Sequence, residues 1–398
     1  MLLIGLSVST SLGRRLLFAA ICAVSVATIY SAQPILTQIG SDLGVSGGGL
    51  GWIVTAGQLG YLVGLVFLVP LGDMVDRRKL IIGHLLLTAV GVGTAATATH
   101  AWVMLAGVAI AGLFAVVVQT TVAYAAAISA PQERGRTLGL VTSGVVIGIL
   151  GARVVAGAFA TAWGWRSVYV TLAVVLIVLA FLVVTLLPAD RRSGRPGYRQ
   201  VLNASRTLFG ERLFMSRGLI AFFLFASFGA LWTGLALPLE ASPWHLSTAQ
   251  IGLFGIAGLA GALGAGRAGR WADDGFANTV TGSALALLAV SWLATAQAPR
   301  SLWLLLVGVI VLDFAVQAVH VSNQHLLTAA HPDRTSSVIG SYMLFYAVGS
   351  ALGAVSTTTA FAVAGWAGSS VIGAVFAISA LAVWAAGRRV ARPVTHTV

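Results

Sequence analysis

The chain has 398 residues, 58% of them hydrophobic and only 9% charged. A water-soluble domain carries about 25% charged residues, so most of this chain cannot face water. The net charge of +12, from 23 basic and 11 acidic residues, sits in short breaks between apolar runs, the pattern of membrane topology rather than of a nucleic-acid surface.

Reading apolar runs between charged or turn-rich breaks predicts twelve membrane-spanning helices, since about 20 apolar residues cross the hydrocarbon layer and lipid offers the backbone no partners. The first six cover roughly 13–39, 47–71, 79–98, 101–126, 136–161 and 166–187, and the second six roughly 214–239, 247–270, 276–297, 301–328, 336–362 and 367–386. Arg and Lys concentrate in loops of one parity: Arg14, Arg15, Arg77, Arg78, Lys79, Arg134, Arg136, the run from Arg191 to Arg217, Arg267, Arg270, Arg334, Arg388, Arg389 and Arg392. The opposite loops hold only Arg166 and Arg300, and that asymmetry predicts both termini in the cytoplasm. Cys22, the only cysteine, excludes an intrachain disulfide and a cysteine-based metal site. No small-residue cleavage motif follows the first apolar run, so a cleavable signal is not expected.

The pattern runs through twice. Pro131 and Arg134 match Pro332 and Arg334, Gly151-Ala152 matches Gly353-Ala354, Gly164-Trp165 matches Gly365-Trp366, and the Gly-x-x-x-Asp spacing of Gly72 and Asp76 returns at Gly269 and Asp273. Landmarks in one order at nearly constant offset predict a duplicated membrane half. The expected division is an N-terminal six-helix bundle over 1–188, a basic cytoplasmic linker over 189–213 and a C-terminal bundle over 214–398.

In chain order, polar candidates begin with Gln33 in the first span and Gln58 and Tyr61 in the second. The loop after the second span carries Gly72, Asp73, Asp76 and Arg77 beside Arg78 and Lys79. Asp76 is placed to cap a helix N-terminus or to pair with a basic group across the halves. The fourth span offers Gln119. In the fifth, Arg153 is the one basic residue within the apolar part of a predicted span, and it needs a carboxylate, carbonyls or an anionic solute. A structural pair with Asp313 or Glu240 is the simplest expectation. Tyr30, Phe228 and Trp232 are candidate aromatic walls.

The tenth span is the most polar. Spacings of four, three and four place Asp313, Gln317, His320 and Gln324 on one helical stripe, with Asn323 and His325 nearby. Each such group is costly against lipid, so the stripe is expected to face a cavity or polar partners. Burial favours the neutral form of an acid, and imidazole titrates near neutrality, so Asp313 and His320 are candidates for a proton relay. His320 and His325 sit five apart, which suits no common helical ligand spacing, and no metal site is expected. Trp102, Trp163, Trp165, Trp244, Trp303 and Trp366 fall near predicted span ends, where interfacial anchors belong.

The loop sequence Gly72-Asp73-Met74-Val75-Asp76-Arg77 resembles the signature between helices two and three of the major facilitator superfamily, with Lys79 where a second glycine is usual. Tyr30-Ser31-Ala32-Gln33-Pro34 and Gly164-Trp165-Arg166 are similar to its twelve-helix drug and metabolite efflux branch. Ala152-Arg153 replaces a Gly-Pro pair usual in that branch, and Ala109 stands where its exporters often carry an arginine. The resemblance implies an all-α fold of two pseudo-symmetric six-helix bundles and secondary transport of a small organic solute by alternating access. It further implies proton-coupled efflux, a conformational latch at Gly72, Asp73, Asp76 and Arg77, and first, fourth, seventh and tenth helices lining the pathway. Small-molecule substrate, protons and the lipid bilayer are the expected partners of a monomer in a bacterial inner membrane. Uptake by symport or facilitated diffusion is the alternative. A polytopic enzyme or sensor is less well served: no nucleophile–base–orienter set, phosphate-binding loop or sizeable soluble domain is present, and no cofactor is expected.

Overall fold

The computed structural model describes residues 12–130, 133–190, 206–265, 276–331 and 335–390. Among them, ten helices are long and apolar enough to cross a membrane. The shorter Thr248–Gly264 adds one, and non-helical backbone at Ala364 and Gly365 divides Ser337–Gly387 into two, giving twelve passes. In order they are α1 (Leu12–Leu43), α2 (Gly47–Phe67), α3 (Arg77–Ala96), α4 (Ala101–Ile128), α5 (Arg134–Trp163), α6 (Trp165–Leu186), α7 (Arg212–Glu240), α8 (Thr248–Gly264), α9 (Ala277–Thr295), α10 (Leu302–Ala330), α11 (335–363) and α12 (366–390). The starts of α1, α3, α5, α7, α9 and α11 share the end of the bundle that bears most of the basic residues.

Helices α1–α6 pack chiefly on one another, as do α7–α12, and small residues make the closest approaches. A Cβ on Gly144 or Gly148 of α5 would lie 2.3 Å from the carbonyl oxygens of Ala19 and Ala23 in α1. Gly349 and Gly353 of α11 stand 2.1 Å from those of Phe222 and Ala226 in α7 by the same measure. The two halves therefore repeat one small-residue contact. By packing, the partner of Gly353 is Gly148 rather than Gly151, which meets only its own helix at Ile147.

The Gly-Trp repeat also has a shared structure. Gly164 and Gly365 have φ of +78° and +59°, a conformation costly for residues with a Cβ, and each turns the chain into the following helix. The tryptophans then point inward. Trp165 donates from Nε1 to Asp42 at 2.8 Å, and Trp366 donates to the Thr295 carbonyl at 2.8 Å. Both are buried, which corrects their expected place as interfacial anchors; a buried indole needs an acceptor and finds it in the neighbouring helix end. Trp102, Trp163 and Trp303 are instead exposed at helix ends. Along α6, exposed Val170, Val174, Ile177, Phe181 and Val184 form the kind of apolar face lipid accepts.

Short acid–base contacts close both halves at the basic end. Arg15 of α1 contacts Glu133, before α5, at 2.6 Å, and Glu211, before α7, contacts His331, after α10, at 2.6 Å. The same corner is tied twice with the charges exchanged. Asp76 takes the N-cap of α3, its Oδ1 accepting from Arg78 N at 2.8 Å and Lys79 N at 3.3 Å. Buried Arg77 donates to the carbonyls of Gly72 and Ala123, binding the loop to α4, while Arg78 donates to Val183 and Val184 in α6. The side chain of Asp73, the second copy of the motif at Gly269 and Asp273, the linker core 191–205, and Pro332 and Arg334 lie outside the described residues.

Contacts between the halves gather at the other end. Gly51 of α2 meets the Ala354 carbonyl of α11, where a Cβ would stand at 2.4 Å, and Thr55 donates to Ala351 at 2.9 Å. Thr358 donates to Gly48 at 3.3 Å, Thr161 of α5 meets Thr248 of α8 at 2.8 Å, and Gln38 donates to Thr248 at 3.3 Å.

Two outcomes follow from this packing. Gly51→Val inserts atoms into a backbone contact and costs about 1–3 kcal/mol of closure. In a Cys22→Ala background, Thr55→Cys then reacts with a water-soluble maleimide about fivefold faster or more when Gly51→Val is present; an unchanged rate contradicts the closed contact. Asp76→Ala loses a cap worth about 1 kcal/mol, whereas Asp76→Asn keeps most of it, a ranking that thermal unfolding of the purified protein reads directly.

Candidate functional site

Between the halves, near mid-depth, polar side chains converge although the surrounding helices are apolar. Helix α1 is interrupted by a 3-10 turn at Gln33–Ile35, with Pro34 inside it. Proline lacks the amide hydrogen that a continuous α-helix needs, so the turn brings Gln33 to the interface. Gln33, 1% exposed, accepts from Arg153 Nε through Oε1 at 3.0 Å and donates from Nε2 to Thr233 of α7 at 3.5 Å.

Arg153 projects from α5 into an aromatic enclosure. Its Cζ lies 3.9 Å from the Trp232 ring centre, 5.4 Å from that of Tyr30 and 5.6 Å from that of Phe228. Nη1 donates to the Ile149 carbonyl at 2.6 Å, while buried Nη2 has no hydrogen-bond partner. Arg153 forms no ion pair with Asp313 or Glu240; the Trp232 indole instead lies against its guanidinium. A cation over an indole face is attracted by the ring quadrupole, which partly offsets the missing carboxylate.

Asp313 lies beside the edge of that indole. Its Oδ2 is buried without a partner in hydrogen-bonding geometry, as is Trp232 Nε1. Gly258 of α8 makes room for both: a Cβ there would lie 2.7 Å from Trp232 Cζ2 and 3.1 Å from Asp313 Oδ2. Arg153 and Asp313 are thus two buried charges that act on one another electrostatically without touching. Tyr30 brings a third helix pair into the cluster. Gln58 of α2 and Ser350 of α11 lie against it, and the Tyr30 hydroxyl, both Gln58 amide atoms and Ser350 Oγ are buried without partners. Buried polar atoms are nearly always paired, so a convergence of unpaired ones marks a site rather than a core. A cavity of 10 Å³, bounded by Gln33, Arg153, Trp232 and Ile251 among others, adjoins Arg153; that is room for about one water.

The remaining candidates form a second group toward the basic end. Gln119 donates to Tyr61 at 2.8 Å, and the Tyr61 ring meets Tyr346 of α11 at 6.4 Å. Tyr346 packs on Phe225 at 4.2 Å, and Phe225 meets His320 at 5.2 Å and Phe228 at 6.0 Å. The aromatic column therefore connects the two groups. His320 lies 3.2 Å from Tyr342 through Nδ1 and 3.1 Å from the Gln324 amide through Nε2. Seven residues along α10, about 10 Å of rise, separate it from Asp313. The described hydrogen bonds of His320 lead to Tyr342 and Gln324 and not to Asp313. Gln317 is half-buried between them.

Asn323 belongs elsewhere. It turns off the stripe and accepts from Arg217 at 3.3 Å, while Arg217 also donates to Asn278 at 2.5 Å. Arg217 thus leaves the linker run assigned to it from sequence and becomes a buried residue of α7. Phe225, Tyr342, Tyr346, Ser350 and Gly258 escaped sequence reasoning, since aromatic, hydroxyl and glycine residues are ordinary in membrane helices. The loop residues Gly72, Asp76 and Arg77 stand apart at the basic end. No group of three or more His, Cys, Asp or Glu suited to a metal occurs among the described residues.

Comparison with known proteins agrees with this architecture. The family model described as Major Facilitator Superfamily matches residues 16–354. The uncharacterized transporter YgaY of Escherichia coli O157:H7 is 40% identical over 362 residues, covering 91% of this chain and 92% of its own length. A chloramphenicol resistance protein of Streptomyces lividans is 31% identical over 250 residues, 56% of this chain and 62% of that protein. Among solved structures, a bacterial homologue of the human lysosomal transporter Spinster, in an inward-facing and occupied conformation, superposes with a TM-score of 0.79 at 16% identity. The match covers 94% of this chain and 96% of that one. Twelve apolar passes in two repeated halves, a polar site between them and these matches lead to one conclusion: the chain belongs to the Major Facilitator Superfamily and is a membrane transporter, not an enzyme.

Proposed function

We propose that the chain moves a small organic solute across a bacterial inner membrane by alternating access, coupled to protons through Asp313. The observation that carries this reading is Asp313 itself, a carboxyl 3% exposed, with an unpaired oxygen at the interface of two repeated bundles. A buried carboxyl between two moving bundles can take up a proton on one side of the membrane and release it on the other as the bundles rock. The moving bodies are residues 1–188 and 214–398, joined by 189–213. With both termini cytoplasmic, the interhalf contacts at Gly51 and Thr248 close the outer face. Gly72, Asp73, Asp76 and Arg77 act as the latch at the inner face. Arg153, Gln33, Gln58, Tyr61, Gln119, Trp232, Gln317, His320, Asn323 and Gln324 are the polar groups offered to solute and proton, Asn323 through its hold on Arg217.

Export is the direction suggested by the name of the Streptomyces lividans relative and by the resemblance to the efflux branch. A second reading, movement of solute and proton together, is favoured by Arg153, whose guanidinium keeps a donor free beside Asp313. A monomer suffices for either.

In proteoliposomes with an imposed pH gradient, Asp313→Asn at normal expression reduces proton-driven flux about tenfold or more. Full flux in that variant sinks the assignment. The transported solutes are those whose toxicity or accumulation differs between deletion and overexpression strains, with chloramphenicol as the first compound tried. A C-terminal green fluorescent protein fusion is expected to fluoresce and an alkaline phosphatase fusion to stay inactive; the reverse pattern overturns the orientation.

A further inference from the structure

The buried site has a charge count, and that count restricts what can occupy it. Arg153 is 1% exposed and Asp313 3% exposed, and each has an oxygen or nitrogen without a partner. The charged group acting on Asp313 from the packed helices is Arg153 of α5; α7 presents the neutral Trp232 there and α8 presents Gly258. Tyr30 of α1 is the titratable group that acts on Arg153 beyond it. His320, on the helix of Asp313, is engaged by Tyr342 and Gln324.

In a low dielectric, states with net charge are costly and neutral ones are favoured. With Asp313 ionised and the site empty, the pair sums to zero. Adding a cationic solute makes it positive, and adding a proton alone does the same. Adding an anion alone makes it negative. Among charged additions, an anion and a proton together return the sum to zero. The unpaired donor Arg153 Nη2 points the same way, because a guanidinium suits a carboxylate geometrically. The rings of Tyr30, Phe228 and Trp232 around Arg153 supply an apolar wall for the body of such a solute.

We infer that the Arg153 enclosure binds the carboxylate of an organic anion with an aromatic or apolar body, and that this anion and a proton on Asp313 bind together rather than in competition. The inference rests on the second reading above, with Asp313 as the proton site. Transport then carries solute and proton in one direction, outward when the acid accumulates inside and inward when the proton gradient dominates.

Three probes of one shape and different charge test it: benzoate, benzamide and benzylamine, added at millimolar concentration to purified full-length protein. Benzoate is expected to raise the unfolding temperature while benzamide and benzylamine do not. In weakly buffered solution its binding takes up about one proton per site, followed with a pH indicator. Arg153→Gln weakens benzoate about tenfold or more, with Arg153→Lys as the variant that preserves charge and helix packing and retains part of the affinity. Asp313→Asn binds benzoate without proton uptake.

Stabilisation by benzylamine or benzamide in place of benzoate, no stabilisation by any of the three, or binding accompanied by proton release overturns the inference. If benzoate depends on Arg153 but proton uptake persists in Asp313→Asn, the Asp313 reading fails and the anion site stands. If benzoate fails while Asp313→Asn still abolishes proton-driven flux, the anion site fails and the Asp313 reading stands.

Discussion

The interior of a bilayer supplies no hydrogen-bond partners, and every polar group carried into it must find one in the protein. Most hydroxyls here do so locally. Ser31, Thr88, Thr281 and Ser370 each donate to the carbonyl four residues earlier in their own helix, a bond that needs no second helix and leaves the packing free. Against that background, six of the groups that do not solve the problem locally stand out because they lie together. Arg153, Trp232, Asp313, Tyr30, Gln58 and Ser350 come from six different helices, and each keeps an atom unpaired at the seam between the halves.

Arg153 and Asp313 share Trp232 as a neighbour without forming an ion pair with each other. A direct ion pair would bind the charges to each other and leave little to offer a solute. Here Trp232 satisfies Arg153 through its face and stands beside Asp313 with its edge, and Gly258 supplies the space for the arrangement. Gln33 adds mechanical coupling, because one amide holds Arg153 in one half and Thr233 in the other.

The halves share their framework and differ in their chemistry. Small-residue contacts between α1 and α5 recur between α7 and α11, and the Gly-Trp turns recur with inward-pointing indoles. The corner contact recurs with acid and base exchanged. These features set helix angles and are indifferent to which side carries a charge. The polar site has no such repeat: the buried cation belongs to α5 in the first half and the buried acid to α10 in the second. A site lying across the pseudo-symmetry axis takes one partner from each bundle, so relative motion of the bundles acts on the pair directly.

Much of this was legible in the sequence. Apolar length and the parity of Arg and Lys are properties of segments, so the twelve passes, the duplication and the loop cap at Asp76 could be read without tertiary contacts. Helical periodicity alone placed Asp313, Gln317, His320 and Gln324 on one stripe. Pairing is different, because it depends on where helices from distant parts of the chain cross. Only the folded structure put Trp232 beside both Arg153 and Asp313, sent His320 to Tyr342 and Asn323 to Arg217, and turned Trp165 and Trp366 inward. Hydrophobicity decides that a helix enters the membrane, whereas close packing at a handful of small residues decides which of its polar atoms meet.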